Sequence, residues 1–174
     1  REIVNVTPER AGWTHVGFRA TRLGTDEAET LDTGARELCV VVLTGTVDIS
    51  VNGQMFSQVF ESLGTRESVF DEVSPAAVYV PPDHNVSIRA RKASEVALCS
   101  APSDGVQRNV RHIDPSTMRR SVRGQGSNTR RICDILPHDD PTAAHLLVVE
   151  VITPAGHSSS YPPHKHDTEA PPSE

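Results

Sequence analysis

The sequence predicts an all-β protein, an antiparallel sandwich or jelly-roll barrel, on three observations. Runs of strand length recur along the 174 residues and are divided by turn-forming residues. Helical periodicity is scarce. A glycine-to-motif spacing in the first half returns in the second, as expected of two related β units.

The elements follow in order. Residues 16–23 form the first expected strand. Leu38 to Leu43 is a continuous apolar run of strand length. Residues 46–51 alternate, with Val47, Ile49 and Val51 on one face and Asp48 and Ser50 on the other. Asn52-Gly53 comes next, and both central residues of a type I′ turn need positive φ, so a hairpin should return through residues 54–60. Strands at 78–80 and 86–90 flank the turn Pro81-Pro82-Asp83, and another covers 96–99. A short helix is expected from Asp114, as N-cap, with Pro115 at its first position, to about Val122. Residues 146–152 give the last strand.

The repeat sets the domain organisation. Strand 16–23 ends at Gly24, and Asp32-Thr33-Gly34 begins eight residues later; strand 146–152 leads to Gly156, and His164-Lys165-His166 begins eight residues later. In the first half, Glu37 heads the next strand. Its counterpart in the second half would start near or beyond residue 174. The small-residue and turn-former cluster Ser100 to Gly105 marks the boundary. Two units are expected: 1–105, which keeps the scaffold without ligands, and 106–174, a linker and the first part of a ligand-bearing unit.

Composition excludes several classes. A formal net charge of −6 argues against a nucleic-acid binder. No apolar run approaches the roughly 20 residues needed to cross a bilayer. Arg1-Glu2-Ile3-Val4 is no signal peptide, and without an initiator Met the start reads as trimmed. Cys39, Cys99 and Cys133 are odd in number and sit beside Ile, Leu or Val, which reads as buried free thiols and a cytoplasmic location.

The chemistry concentrates at His164 and His166. Imidazoles at i and i+2 of an extended segment point to one side, and neutral imidazole is a good ligand for a divalent transition metal. Pro162 and Pro163 restrict the approach. A working site needs further ligands. Glu169 is a candidate carboxylate, although Ala170-Pro171-Pro172 after it reads as loop; Glu174 is no better placed. His15, His84, His112, His138, His145 and His157 are scattered and read as surface or hydrogen-bonding residues. Arginines cluster at 108, 111, 119, 120, 123, 130 and 131. Most read as a solvated surface pairing with acidic neighbours. Arg123 and Arg130, which bracket Gly124-Gln125-Gly126, are the candidates for clamping an anionic substrate. Trp13 and Phe18 read as core. Ser158, Ser159 and Ser160 have no evident base partner and no Gly-x-Ser-x-Gly setting.

These residues carry a resemblance. The stretch from Val149 to Gly156, followed by Ser159-Ser160-Tyr161-Pro162-Pro163-His164-Lys165-His166-Asp167, resembles the signature of the 5-deoxy-glucuronate isomerases of bacterial inositol catabolism. Segments 4–14, 77–82 and 123–130 resemble the same family, in order. The resemblance implies a bicupin, related to 4-deoxy-threo-hexosulose-uronate ketol-isomerase, whose second cupin holds the metal and is incomplete in this chain. It implies an aldose–ketose isomerase converting 5-deoxy-glucuronate to 5-dehydro-2-deoxy-gluconate with one divalent ion: zinc, manganese or iron. Carry-over reaches His164 and His166; a glutamate and a further histidine are expected beyond Glu174, so activity is not expected of this chain alone. Arg123 or Arg130 would hold the sugar-acid carboxylate, and a homo-oligomer is expected. The chain departs from the family at His157-Ser158, where members have Asn-Trp. The rival readings are a non-catalytic cupin module binding a sugar acid or a protein partner, and an iron cupin dioxygenase.

Overall fold

The computed structural model describes residues 1–53 and 57–159. The strands are β1 (Glu2–Val6), β2 (Gly17–Leu23), β3 (Ala28–Asp32), β4 (Arg36–Thr44), β5 (Val47–Asn52), β6 (Ser57–Leu63), β7 (Ala76–Val80), β8 (Asn85–Ala90), β9 (Ser94–Pro102), β10 (Arg111–Ile113), β11 (Arg119–Arg123), β12 (Arg130–Leu136) and β13 (Val148–Ile152). Among the described residues the one α-helix, α1 (Pro8–Ala11), is a single turn capped by Thr7, whose hydroxyl accepts from the Arg10 N–H.

Three antiparallel sheets stack in layers. The middle sheet has six strands in the order β1-β2-β9-β4-β7-β10. A four-stranded sheet, β3-β8-β5-β6, covers one of its faces, and a three-stranded sheet, β11-β12-β13, covers the other. Two cores result. Leu38, Val40 and Val42 of β4 join Val78 of β7 in meeting Val47, Ile49, Val51, Val86 and Ile88 of the four-stranded sheet. The alternate residues Cys39, Val41, Ala77, Tyr79 and Ala97 meet Cys133, Ile135, Leu136 and Val148. This explains the apolar run in β4: a strand buried on both faces cannot alternate. β5, with one face toward water, does alternate. Fully burying one such valine contributes roughly 1.5–3 kcal/mol, so the two cores dominate the fold's stability.

The expected helix from Asp114 to Val122 is corrected. Asp114 does cap a turn, its carboxylate accepting from the Ser116 N–H at 2.8 Å, but the turn is a 3-10 helix ending at Thr117. β11 then begins at Arg119, because residues 119–123 pair with β12 in continuous register. The return strand of the β5 hairpin is β6; Gln54 to Phe56, which the sequence reading included in it, lie outside the described residues. Trp13 and Phe18, expected in the core, are 56% and 37% exposed. Trp13 sits beyond the αL Gly12 that ends α1, and Phe18 lies on the face of β2 opposite Gly17 and Arg19.

The three cysteines are free thiols. Cys39 and Cys99 are direct cross-strand neighbours. Burial pushes Cys39 well above the usual thiol range and Cys99 up to about 11, and burial also raises Cys133. The neutral thiols therefore favour the folded state: this stability is full below the unfolded thiol value near 8.5 and is lost as pH rises toward the folded values. At pH 8 a thiol of pKa about 11 is roughly 0.1% thiolate, against roughly a quarter for an unfolded cysteine. Iodoacetamide at pH 8 is thus expected to label Cys99 at least ~100-fold more slowly in the native protein than in urea, as peptide mass spectrometry would read.

Candidate active site

The candidate site is built on the three-stranded sheet. Arg123 and Arg130 are direct register partners where β11 and β12 meet their connecting loop. Directly opposite residues lie on the same side of a sheet. Cys133 and Ile135 point into the second core, so Arg130, like Ile132 and Asp134, lies on the opposite face. Val149 and Val151 share it by register and are partly exposed.

The loop between the arginines is tight. Gly124 has φ +82°, and a Cβ there would stand 2.0 Å from the Asn128 carbonyl oxygen, so only glycine fits. A 3-10 turn, Gly126–Asn128, follows. Arg130 is buried, and its Nη1 donates to the Asn128 carbonyl at 3.1 Å and to Asn128 Oδ1 at 3.3 Å. Arg123 is exposed and makes no hydrogen bond or ion pair among the described residues.

The same loop grips the segment that follows β13. The Ser158 N–H donates to the Ser127 carbonyl at 2.7 Å, and His157 Nδ1 meets the Thr129 carbonyl at 2.9 Å. A turn at Gly156, closed by the His157 N–H on the Pro154 carbonyl at 3.0 Å, aims the chain there. His157 is therefore engaged with backbone. His164, His166, Glu169 and Glu174 lie outside the described residues. Among the described residues, no group of three or more His, Cys, Asp or Glu side chains is placed to hold a metal ion. The donor chemistry of two imidazoles in sequence at 164 and 166 suits a divalent transition metal.

The rest of the arginine cluster is occupied. Arg108 pairs with Asp104, Arg111 with Asp140, Arg119 with the buried Asp134 at 2.8 Å, and Arg131 with Glu72, while Arg120 donates to the Glu72 carbonyl. The scattered histidines make local contacts: His84 Nδ1 meets the Pro82 carbonyl at 2.6 Å, and the rings of His15 and His145 meet edge-on at 6.4 Å.

Two buried polar anchors, neither expected from the sequence, fasten this sheet to the middle one. Glu37 is fully buried. Its carboxylate accepts from the N–H groups of Ala144, His145 and Leu146 at 2.9, 2.7 and 2.6 Å, and from the Tyr79 hydroxyl at 3.0 Å. Burial, and then the charge and hydrogen bond of Glu37, raise the Tyr79 phenol well above its ordinary range, so it stays a donor. The second anchor is Arg66, 2% exposed, which forms a bidentate pair with Glu150 of β13 at 2.9 Å for both bonds and donates to the Leu43 carbonyl at 3.0 Å. Breaking a buried ion pair by removing one partner leaves the other charge uncompensated. Arg66→Met is expected to cost about 3–5 kcal/mol, read as a lower urea midpoint.

Comparison with known proteins places these features in a family. The KduI/IolB family matches residues 1–174. The 5-deoxy-glucuronate isomerase of Geobacillus kaustophilus is 42% identical over 165 residues, 95% of this chain and 58% of that protein. Its namesake in Bacillus subtilis is 38% identical over 169 residues, 97% of this chain and 60% of that protein. The crystal structure of an IolB-like protein from Salmonella typhimurium superposes with a TM-score of 0.88 at 37% identity, covering 97% of this chain and 62% of that one. The chain thus spans about 60% of the length of these relatives.

Proposed function

The chain belongs to the KduI/IolB family, and from that premise we propose that the protein is a metal-dependent aldose–ketose isomerase converting 5-deoxy-glucuronate to 5-dehydro-2-deoxy-gluconate in myo-inositol catabolism. Similarity along nearly all of this chain to proteins named for this activity, of whose length it spans about 60%, carries the reading. In it, residues 1–105 form a cupin without metal ligands, and 106–174 form a linker and the first part of the metal-binding cupin. The protein works in the cytoplasm as a homo-oligomer.

His164 and His166 would hold one zinc, manganese or iron ion, with a glutamate and a further histidine completing the set. When bound, the ion supplies Lewis acidity toward the sugar's carbonyl and neighbouring hydroxyl. Arg123 and Arg130 take the substrate's carboxylate. Arg130 is held in place by Asn128, and Arg123 on the same face offers an open guanidinium. Holding the carboxylate there fixes the reacting carbons at the other end of a short sugar acid.

The test is an isomerisation assay on the full-length gene product with 5-deoxy-glucuronate, run beside elemental analysis. The expected result is ketose formation that disappears on chelation and about one metal ion per chain. Metal-free protein with undiminished turnover would reject the metal's role. Binding without turnover would show the non-catalytic module instead, and oxygen consumption with the sugar acid would show the dioxygenase.

A further inference from the structure

The first half carries a cleft of about 260 Å³, open to solvent, at one end of its two-sheet sandwich. Leu31, Leu38 and Leu98 give it an apolar wall, and Arg36 and Ser100 also line it. Arg36 lies on the inner face of β4, two residues before the core residue Leu38. Its guanidinium is fastened along one side. Nε donates to Ser100 Oγ at 3.2 Å, and Nη2 donates to the Ser100 carbonyl at 3.1 Å and to the His15 carbonyl.

All of those acceptors are neutral. Among the described residues no carboxylate stands within ion-pair distance of Arg36, and its Nη1 makes no hydrogen bond. The other arginine on this wall, Arg19, is already paired with Glu29. Glu9 and Asp32 are exposed at the rim: the Glu9 carboxyl is held below its usual range mainly by local hydrogen bonds and only least by the Arg36 charge, without an ion pair, and one Asp32 oxygen accepts from the Gly34 N–H at 2.7 Å. A half-buried cation normally finds an anion, because its desolvation is otherwise uncompensated. A pocket of this size takes a small molecule whose apolar body fills the wall while one polar group fixes its orientation.

We propose that this cleft binds a small monocarboxylate with an apolar chain, its carboxylate held by Arg36. The inference does not depend on the isomerase reading. The probe is sodium hexanoate, titrated into the protein and followed through the amide resonances of Thr33, Leu98 and Ser100. The neutral 1-hexanol and inorganic phosphate serve as comparisons. Hexanoate is expected to saturate with a Kd of roughly 1 mM, with hexanol and phosphate each at least ~10-fold weaker. Arg36→Met should bring hexanoate to the level of hexanol while the circular dichroism spectrum is retained. Leu31→Trp, which leaves Arg36 in place and fills the cleft, should abolish binding and decides the matter should Arg36→Met not fold. The proposal is overturned if hexanoate gives no saturable shift by about 20 mM, if either comparison binds as tightly, or if the substitution at Leu31 leaves the affinity unchanged.

Discussion

His164→Ala is expected to remove stoichiometric metal and isomerase turnover together, by roughly 10³-fold or more in turnover. Changing a residue that merely supports a ligand typically costs about 10–100-fold in metal affinity or activity. Removing one of the imidazoles proposed to hold the ion should exceed that. The pairing of the two losses is the informative outcome. Metal content by mass spectrometry of the purified full-length variant, beside single-substrate kinetics, reads both. His166→Ala should match it, since the two residues sit at i and i+2 of one segment. A variant that keeps turnover without metal would separate His164 from the chemistry.

Glu37→Ala is expected to lower the melting temperature by about 10 °C or more and to loosen the three-stranded sheet selectively. The substitution leaves three backbone N–H groups, at 144–146, and the Tyr79 hydroxyl without their acceptor. An unsatisfied buried polar group costs about 1–3 kcal/mol. Water entering at residues 144–146, which are not fully buried, offsets part of this. A net loss of roughly 3–5 kcal/mol, at roughly 2–4 °C each for a chain of this size, gives the expected shift. Hydrogen exchange locates it: amides 144–146 and those of β12 and β13 should lose protection while β5 and β8 keep theirs. Uniform loss of protection across all three sheets would show instead that the layers unfold as one unit. Glu37→Gln should be milder, because the amide oxygen still accepts while its NH₂ faces donors.

The sequence made much of the first sandwich legible because β5 has one wet face and β4 has none. Alternation at Val47, Ile49 and Val51 and the unbroken run from Leu38 to Leu43 are the direct signatures of those environments. β11 and β12 were hidden for a physical reason. Their charged residues imitate a solvated loop or helix end, yet Arg130 and Asp134 are buried on β12, satisfied by Asn128 and Arg119. The cross-strand placement of Arg123 opposite Arg130 follows only from that pairing. The spacing of His164 and His166 is plain in the sequence. The anchors are not, because Glu37 meets amides 107–109 residues away and Arg66 meets Glu150 across 84. No local pattern marks a contact of that range.

The middle sheet also bears on how a nascent chain must assemble. Its principal strands, β2, β4, β7 and β9, are complete by residue 102, before residues 119–152 leave the ribosome. Until then Val41, Ala77, Tyr79 and Ala97 face water on a finished sheet with no roof. That interval leaves a sticky apolar surface open to other unfinished chains, which makes slow or interrupted translation beyond residue 102 the stage at which the protein is most prone to aggregate.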